Sequence, residues 1–145
     1  PVPRFDFEGL KFVTAHSSVP IMADESCWDS KDALQLVSQR AVDLINIKLM
    51  KCGGLYEAKK ITAIAEAAGV EVMLGCMAEE SGIGVTAAAS LGAALKNITR
   101  ADLDATFSLK ELPYEGGFTV KDTRHLILSS DPGLGIKCLK KEMLA

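Results

Sequence analysis

Leu44-Ile45-Asn46-Ile47-Lys48-Leu49-Met50-Lys51-Cys52-Gly53-Gly54 is the stretch on which the fold turns. Its first six residues form a short, largely apolar run of the length and β-branched content of a buried strand. The run stops at Lys51-Cys52-Gly53-Gly54, a turn with two consecutive glycines. Directly after it the apolar period changes from strand to helix. Leu55–Ala68 places Ala58, Ile61, Ala65 and Ala68 on one face at helical spacing, and Gly69 follows as the glycine that closes such a helix. Strand, tight turn and helix in this order make one βα unit, the repeating element of a parallel sheet.

The same alternation extends in both directions. Downstream, Val70–Gly75 reads as a strand, Ser81–Lys96 as an alanine- and glycine-rich helix, and a fourth short strand is centred on Ala101-Asp102-Leu103-Asp104. The small side chains of Ser81–Lys96 suit close packing on a sheet or on a neighbouring subunit, which points to a homo-oligomer. Upstream, Asp6 caps a helix running to about His16 with Leu10 and Val13 inward, and Val19–Ala23 is a strand ending at Asp24-Glu25-Ser26. Asp29 caps the next helix, with Asp32 three residues on as a shortened capping-box acid and Ala33, Leu34 and Val37 inward.

Polar residues gather at the C-terminal ends of these strands: Asp24, Lys48, the loop from Gly75 through Glu79 to Glu80, and Asp102 with Asp104. Asp24, Lys48, Gly75 and Asp102 are spaced 24, 27 and 27 residues apart. A (β/α)8 barrel spends roughly 30 residues on each unit and keeps its chemistry at the C-terminal ends of its strands. Four units at this step make half a barrel, and a free half would leave two parallel edges open. The expectation is therefore an α/β fold in which residues 1–112 are the last four βα units of a TIM-type barrel, with the other half upstream of Pro1. Beyond Leu112 the pattern changes. Pro113-Tyr114-Glu115-Gly116-Gly117 reads as a turn-rich link, Phe118–Lys121 and His125–Leu128 as a hairpin, Asp131-Pro132-Gly133-Leu134-Gly135 as a further turn, and the lysine-rich tail as solvated.

Composition narrows the function classes. The 16 basic residues give a net charge of −3 and are spread along the chain, so the basic stripe of a nucleic-acid binder is missing. No apolar run approaches the roughly 18 residues that cross a bilayer, and no charged-then-apolar leader opens the sequence. Cys27, Cys52, Cys76 and Cys138 form no CxxC pair and the two histidines, His16 and His125, lie far apart, which argues against zinc. A reduced, cytoplasmic setting is the expectation.

Met22-Ala23-Asp24-Glu25-Ser26 and Ile45-Asn46-Ile47-Lys48-Leu49-Met50-Lys51-Cys52-Gly53-Gly54 resemble, in order and at consecutive strands, the muconate-lactonizing branch of the enolase superfamily. Gly75-Cys76-Met77-Ala78-Glu79 is similar to that family's next strand-end motif, and Pro132-Gly133-Leu134-Gly135-Ile136 to its closing segment. The resemblance implies a modified (β/α)7β barrel, with residues 113–145 returning to an N-terminal capping domain outside this chain. It also implies a proton abstraction next to a carboxylate. Such a carbon acid is weak, so a cation must neutralise the developing charge and a base must sit within reach of the α-carbon; a Lys base with Mg²⁺ is the pairing given for this superfamily.

Carried onto this sequence, Asp24 resembles the third metal carboxylate, suited to Mg²⁺, with the other ligands upstream; Pro1-Val2-Pro3 stands where the family often has Glu-Gln-Pro. Lys48 resembles one of two opposed acid/base lysines, the second also upstream. Asp102-Leu103-Asp104 resembles the Asp-x-Asp with which dipeptide epimerases hold a substrate's α-ammonium; strand alternation would bring both carboxylates to one face. Glu79 joins them as a substrate contact, and Glu25 supports Lys48. The expected activity is Mg²⁺-dependent epimerisation of dipeptides through an enediolate, with this segment inactive on its own and dependent on its N-terminal half. A cycloisomerase or an N-acylamino acid racemase of the same branch is the alternative enzyme.

Each residue also has a plainer reading. Lys48 could be a surface lysine and Asp24 a helix cap. Glu25 could be solvated, Glu79 a loop acid, and Asp102 and Asp104 turn acids. Lys51, three residues beyond Lys48, reads as a loop lysine facing solvent or phosphate. Gly53-Gly54 reads as a tight βα turn or an anion cradle, and Trp28 as packing near the site entrance. From another class altogether, a complete flavodoxin-like α/β module binding a partner or a small anion would fit the same alternation.

Overall fold

The computed structural model describes residues 1–78, 80–122 and 124–140. Its centre is a four-stranded parallel sheet of β1 (Met22–Ala23), β2 (Leu44–Ile47), β3 (Glu71–Leu74) and β4 (Ile98–Ala101), in the spatial order β1-β2-β3-β4. A flavodoxin-like sheet is doubly wound and reverses its strand order near the first strand. Here the order is sequential, as in a barrel that adds each strand on the same side of the last.

One face of the sheet is apolar and fully covered. Ala23, Ile45, Ile47, Val72 and Leu74 are each 2% exposed or less. They join Ala33 and Leu36 of α2 (Ser30–Ser38), Ala58, Ile61 and Ala65 of α4 (Leu55–Ala67), and Val85, Ala88 and Leu91 of α5 (Gly82–Ala94) in one core. Leu10 of α1 (Phe7–His16) belongs to the same core. Because strand side chains alternate, Met22, Asn46 and Met73 project to the opposite, concave face.

The caps follow the sequence. Asp6 Oδ1 accepts the Gly9 amide at 2.8 Å, and Asp29 Oδ1 accepts the Lys31 and Asp32 amides at 2.8 and 2.9 Å. Asp32, instead of closing the capping box on Asp29, turns back to the Trp28 amide at 2.9 Å. Gly69 has φ +72°, the left-handed value that ends a helix without a Cβ penalty. Three expectations move. Leu36 rather than Leu34 faces inward on α2, since from Ala33 the buried stripe runs to positions three and four residues on, and Leu34 is exposed. Ala68 is exposed beyond the end of α4, and Thr62 takes its place in the buried stripe. β4 lies at Ile98–Ala101, so Asp102-Leu103-Asp104 follow the strand rather than forming it.

The small residues of α5 are used within the chain. A Cβ on Gly92 would stand 3.0 Å from Leu74 Cδ1, and one on Gly82 only 1.8 Å from Tyr114 Oη. After the 3-10 turn Ala105–Ser108, β5 (Tyr114–Gly116) pairs antiparallel with β8 (Ile136–Leu139), where the sequence had suggested a link and a solvated tail. β6 (Phe118–Lys121) and β7 (His125–Leu128) form the expected hairpin. Phe118, Leu126 and Leu134 carry this segment onto the core. The last five residues of the tail lie outside the described residues.

Candidate active site at the strand ends

The four strands end at Ala23, Ile47, Leu74 and Ala101. Asp24, Lys48, Gly75 and Asp102 are therefore each the first residue beyond a strand. Their predecessors Ala23, Ile47 and Leu74 point into the helix-covered core, so the next side chain along is directed to the concave face. The register sets Lys48, Gly75 and Asp102 in one row, level with one another, whereas Asp24 lies level with Asn46, two residues before Lys48.

Asp24 is the hub. Its Oδ2 lies 2.7 Å from Lys48 Nζ and its Oδ1 2.8 Å from Lys51 Nζ. Glu25 Oε1 accepts from Lys48 Nζ at 3.2 Å. Lys48 keeps 14% of its side-chain exposure and Lys51 only 1%. Lys51 is thus not the loop lysine that the sequence suggested. It sits on a single helical turn, α3 (Leu49–Cys52), and its ammonium donates to the carbonyls of Asp24 and Asn46 as well as to the Asp24 carboxylate. Burial works to raise the Asp24 carboxyl, but hydrogen bonds and charge from Lys48 and Lys51 outweigh it and hold the group below its ordinary value. For Lys48, burial works downward, and the bonds and charges of Asp24 and Glu25 win, raising the ammonium.

Gly75 and Asn46 are linked. Asn46, two residues before Lys48 on the same strand face, is 5% exposed, and its amide packs where a Cβ on Gly75 would stand, 2.7 Å from Oδ1. That Oδ1 has no hydrogen-bond partner among the described residues. A polar residue inside the otherwise apolar Leu44–Ile47 run was the sequence signal for it. Glu80 was also missed: it is 3% exposed, its Oε2 accepts the Met77 amide at 3.0 Å, and its Oε1 is buried without a partner among the described residues. The neighbouring Glu79 lies outside the described residues.

Asp102 and Asp104 flank buried Leu103 and both remain exposed. The Asp102 amide donates to the Leu74 carbonyl at 2.8 Å, continuing the β3–β4 ladder by one bond. Asp104 opens the 3-10 turn, and its Oδ1 lies 3.6 Å from Cys76 Sγ. They line one cavity of about 320 Å³ together with Phe107, Val120, Arg124 and Leu126. Neither forms an ion pair among the described residues, although the Arg124 guanidinium lines the same cavity. On the other side of the row, Asp24 and Glu25 line a cavity of about 260 Å³ with Pro1, Val2 and Arg4. Trp28 ties this edge down by donating its indole N–H to the Glu25 carbonyl at 2.8 Å.

Asp24 is a hard oxygen donor of the type Mg²⁺ takes. Among the described residues no group of three or more His, Cys, Asp or Glu side chains could hold a metal ion. No helix among the described residues is long and apolar enough to cross a membrane.

Comparison with known proteins gives the arrangement its setting. The family model for enolase C-terminal domain-like proteins matches residues 1–142. The chain is 60% identical over 136 residues to the hydrophobic dipeptide epimerase of Enterococcus faecalis, covering 94% of this chain and 38% of that protein. It is 48% identical over 136 residues to the L-Ala-D/L-Glu epimerase of Bacillus subtilis, covering 94% and 37%. The crystal structure of the dipeptide epimerase from Enterococcus faecalis V583, complexed with Mg and the dipeptide L-Leu-L-Tyr, superposes with a TM-score of 0.91 at 59% identity, covering 95% of this chain and 39% of that one. The chain thus spans a little over a third of the length of the relatives it matches.

Proposed function

Because this chain belongs to the enolase C-terminal domain-like family, we propose that it is the half-barrel of a Mg²⁺-dependent dipeptide epimerase that carries one acid/base lysine and the ammonium-binding aspartates. The carrying observation is that Asp24, Lys48, Gly75 and Asp102 each stand one residue past a strand, with Asp24 Oδ2 2.7 Å from Lys48 Nζ. Residues 1–112 form the second half of the barrel, and residues 113–145 return to a capping domain supplied, like the missing strands, by the rest of the protein. Four free cysteines fit a cytoplasmic setting with reduced thiols.

Asp24 would hold the ion together with ligands from outside this chain; bound there, the ion neutralises charge that develops on the substrate carboxylate. Lys48 takes the α-proton from one face, and a lysine from the other half of the barrel returns it to the opposite face. A base must be neutral, whereas Asp24 and Glu25 stabilise the charged amine. With a cation held by Asp24, that carboxylate would be less available to Lys48, whose amine would then lie nearer its basic form. Glu25 orients the amine through its 3.2 Å contact. Asp102 and Asp104 provide the counter-charge for a free α-ammonium. Glu79 is proposed as a further substrate contact.

A cavity built for an ammonium discriminates against a substrate that lacks one. The test is chiral analysis of a dipeptide panel and its N-acylated counterparts with the full-length protein, with and without Mg²⁺. Free dipeptides should epimerise only with Mg²⁺, and N-acylation should slow them by about 10- to 100-fold, the worth of one charged hydrogen bond. Equal or better turnover of the N-acylated compounds would hand the protein to the racemase alternative.

A further inference from the structure

Lys51 carries more structure than a surface lysine can. Its ammonium has three N–H bonds, and all three are spent: on the Asp24 carbonyl, on Asp24 Oδ1 at 2.8 Å and on the Asn46 carbonyl at 2.8 Å. β1 and β2 pair over only two rungs, Met22 with Leu44 and Ala23 with Ile45, so the ladder stops immediately before Asp24. Lys51 takes over where the ladder ends, joining the backbone of one strand end to that of the next. By gripping both the carbonyl and one carboxylate oxygen of Asp24, it fixes that side chain's rotation. Oδ1 is then occupied, and Oδ2, which faces Lys48 at 2.7 Å, is the oxygen presented to the concave face. Lys51 itself is immobilised by α3 and by Gly53, whose φ of +85° reverses the chain directly after that turn.

We propose that Lys51 is a positioning residue for the metal site, which orients the Asp24 carboxylate by holding one of its oxygens and its backbone carbonyl. The inference rests on the assignment of Asp24 as a metal ligand. A simple charge argument predicts the opposite effect. Lys51 places a positive charge within 3 Å of a carboxylate that is to bind a cation, so if repulsion dominated, its removal would tighten metal binding. If positioning dominates, removal loosens it, by the 10- to 100-fold typical of lost partners that orient a metal ligand. The sign of the change therefore decides between them.

The experiment is calorimetric titration of Mg²⁺, and Mn²⁺ titration by electron paramagnetic resonance, into the full-length protein and its Lys51→Met, Lys51→Arg, Lys48→Met and Asp24→Asn variants. Lys51→Met should raise the metal Kd about 10- to 100-fold. Lys48→Met, which removes a charge but no anchor, should leave it unchanged or lower it. Lys51→Arg keeps the charge, but its planar fork cannot meet three acceptors gathered round one nitrogen, so it should weaken binding as well; it serves as the readout if Lys51→Met does not fold. A wild-type or tighter Kd in either folded Lys51 variant overturns the proposal. Asp24→Asn separates the two levels: if it binds metal as wild type does, the ligand assignment fails and the inference with it, whereas loss of binding in Asp24→Asn with a wild-type Kd in Lys51→Met sinks the inference alone.

Discussion

Gly82→Ala is the most informative perturbation of how the C-terminal segment is seated on the half-barrel. Gly82 opens α5, and a Cβ there would stand 1.8 Å from Tyr114 Oη, with Thr106 Cγ2 at 3.3 Å. Tyr114 begins β5 and is 3% exposed, so its ring has no free path outward. Relieving the overlap means moving a rigid aromatic by more than an ångström inside a packed region, which costs about 1–3 kcal/mol. At this first helical position alanine's better propensity returns only about 0.5 kcal/mol, leaving a net loss of roughly 1–2 kcal/mol. At roughly 2–4 °C per kcal/mol, the melting temperature should fall by about 2–8 °C. Tyr114→Phe deletes the clashing oxygen. That oxygen is buried with no hydrogen-bond partner among the described residues, so its removal alone should be neutral or mildly stabilising. In the double variant the nearest ring atom is the former Cζ at 3.2 Å, and most of the loss should be recovered. Thermal and urea unfolding of the four members of this cycle in the full-length protein gives the coupling energy directly. A neutral Gly82→Ala, or a double variant as unstable as Gly82→Ala alone, would refute the close packing of β5 on α5.

The other expectations concern the strand ends and the thiols. The Asp24 carboxyl is held low in the folded protein, so its contribution is complete above the ordinary carboxylate range and is lost as pH falls through the folded value. The stability gap between wild type and Asp24→Asn should accordingly be flat from pH 6 to 9 and close below about pH 4; a gap that widens in acid would reverse the sign. Burial pushes the Cys27 thiol up to about 12, while Cys138 is exposed. Mass-spectrometric alkylation near pH 8 should label Cys138 first and Cys27 only on unfolding, and rapid native labelling of Cys27 would contradict its placement. Asp104→Asn should raise KM for dipeptides by about 10- to 100-fold while leaving Mg²⁺ affinity unchanged; a loss confined to metal binding would place Asp104 in the wrong role.

The βα register was readable because strands and helices differ in period and because Gly53-Gly54 and Gly69 punctuate them. Asp24 and Lys48 were readable for the same reason, each being the first polar residue after an apolar run. Asp102 and Asp104 were legible as a pair but not as a placement. Ile98-Thr99-Arg100-Ala101 is an edge strand with only one half-buried side chain, so the apolar signal drifted to Leu103, which is buried in the following loop. The state of Lys51 was out of reach. A buried ammonium depends on three acceptors from two strands, and nothing within a few residues of Lys51 announces them. The β5–β8 pair was hidden likewise, since Pro113–Gly117 is rich in turn residues and its partner strand lies about twenty residues away across a hairpin.

The central claim is that Lys48 handles the α-proton from one face of the substrate. Deuterium exchange at the α-carbon, followed by NMR in D₂O with both epimers of a dipeptide substrate, tests it in the full-length protein with Mg²⁺ present. Wild type should exchange and interconvert both epimers. Lys48→Ala should abolish interconversion and retain exchange for at most the one epimer whose proton faces the opposing lysine. Exchange of both epimers in Lys48→Ala would contradict the assignment.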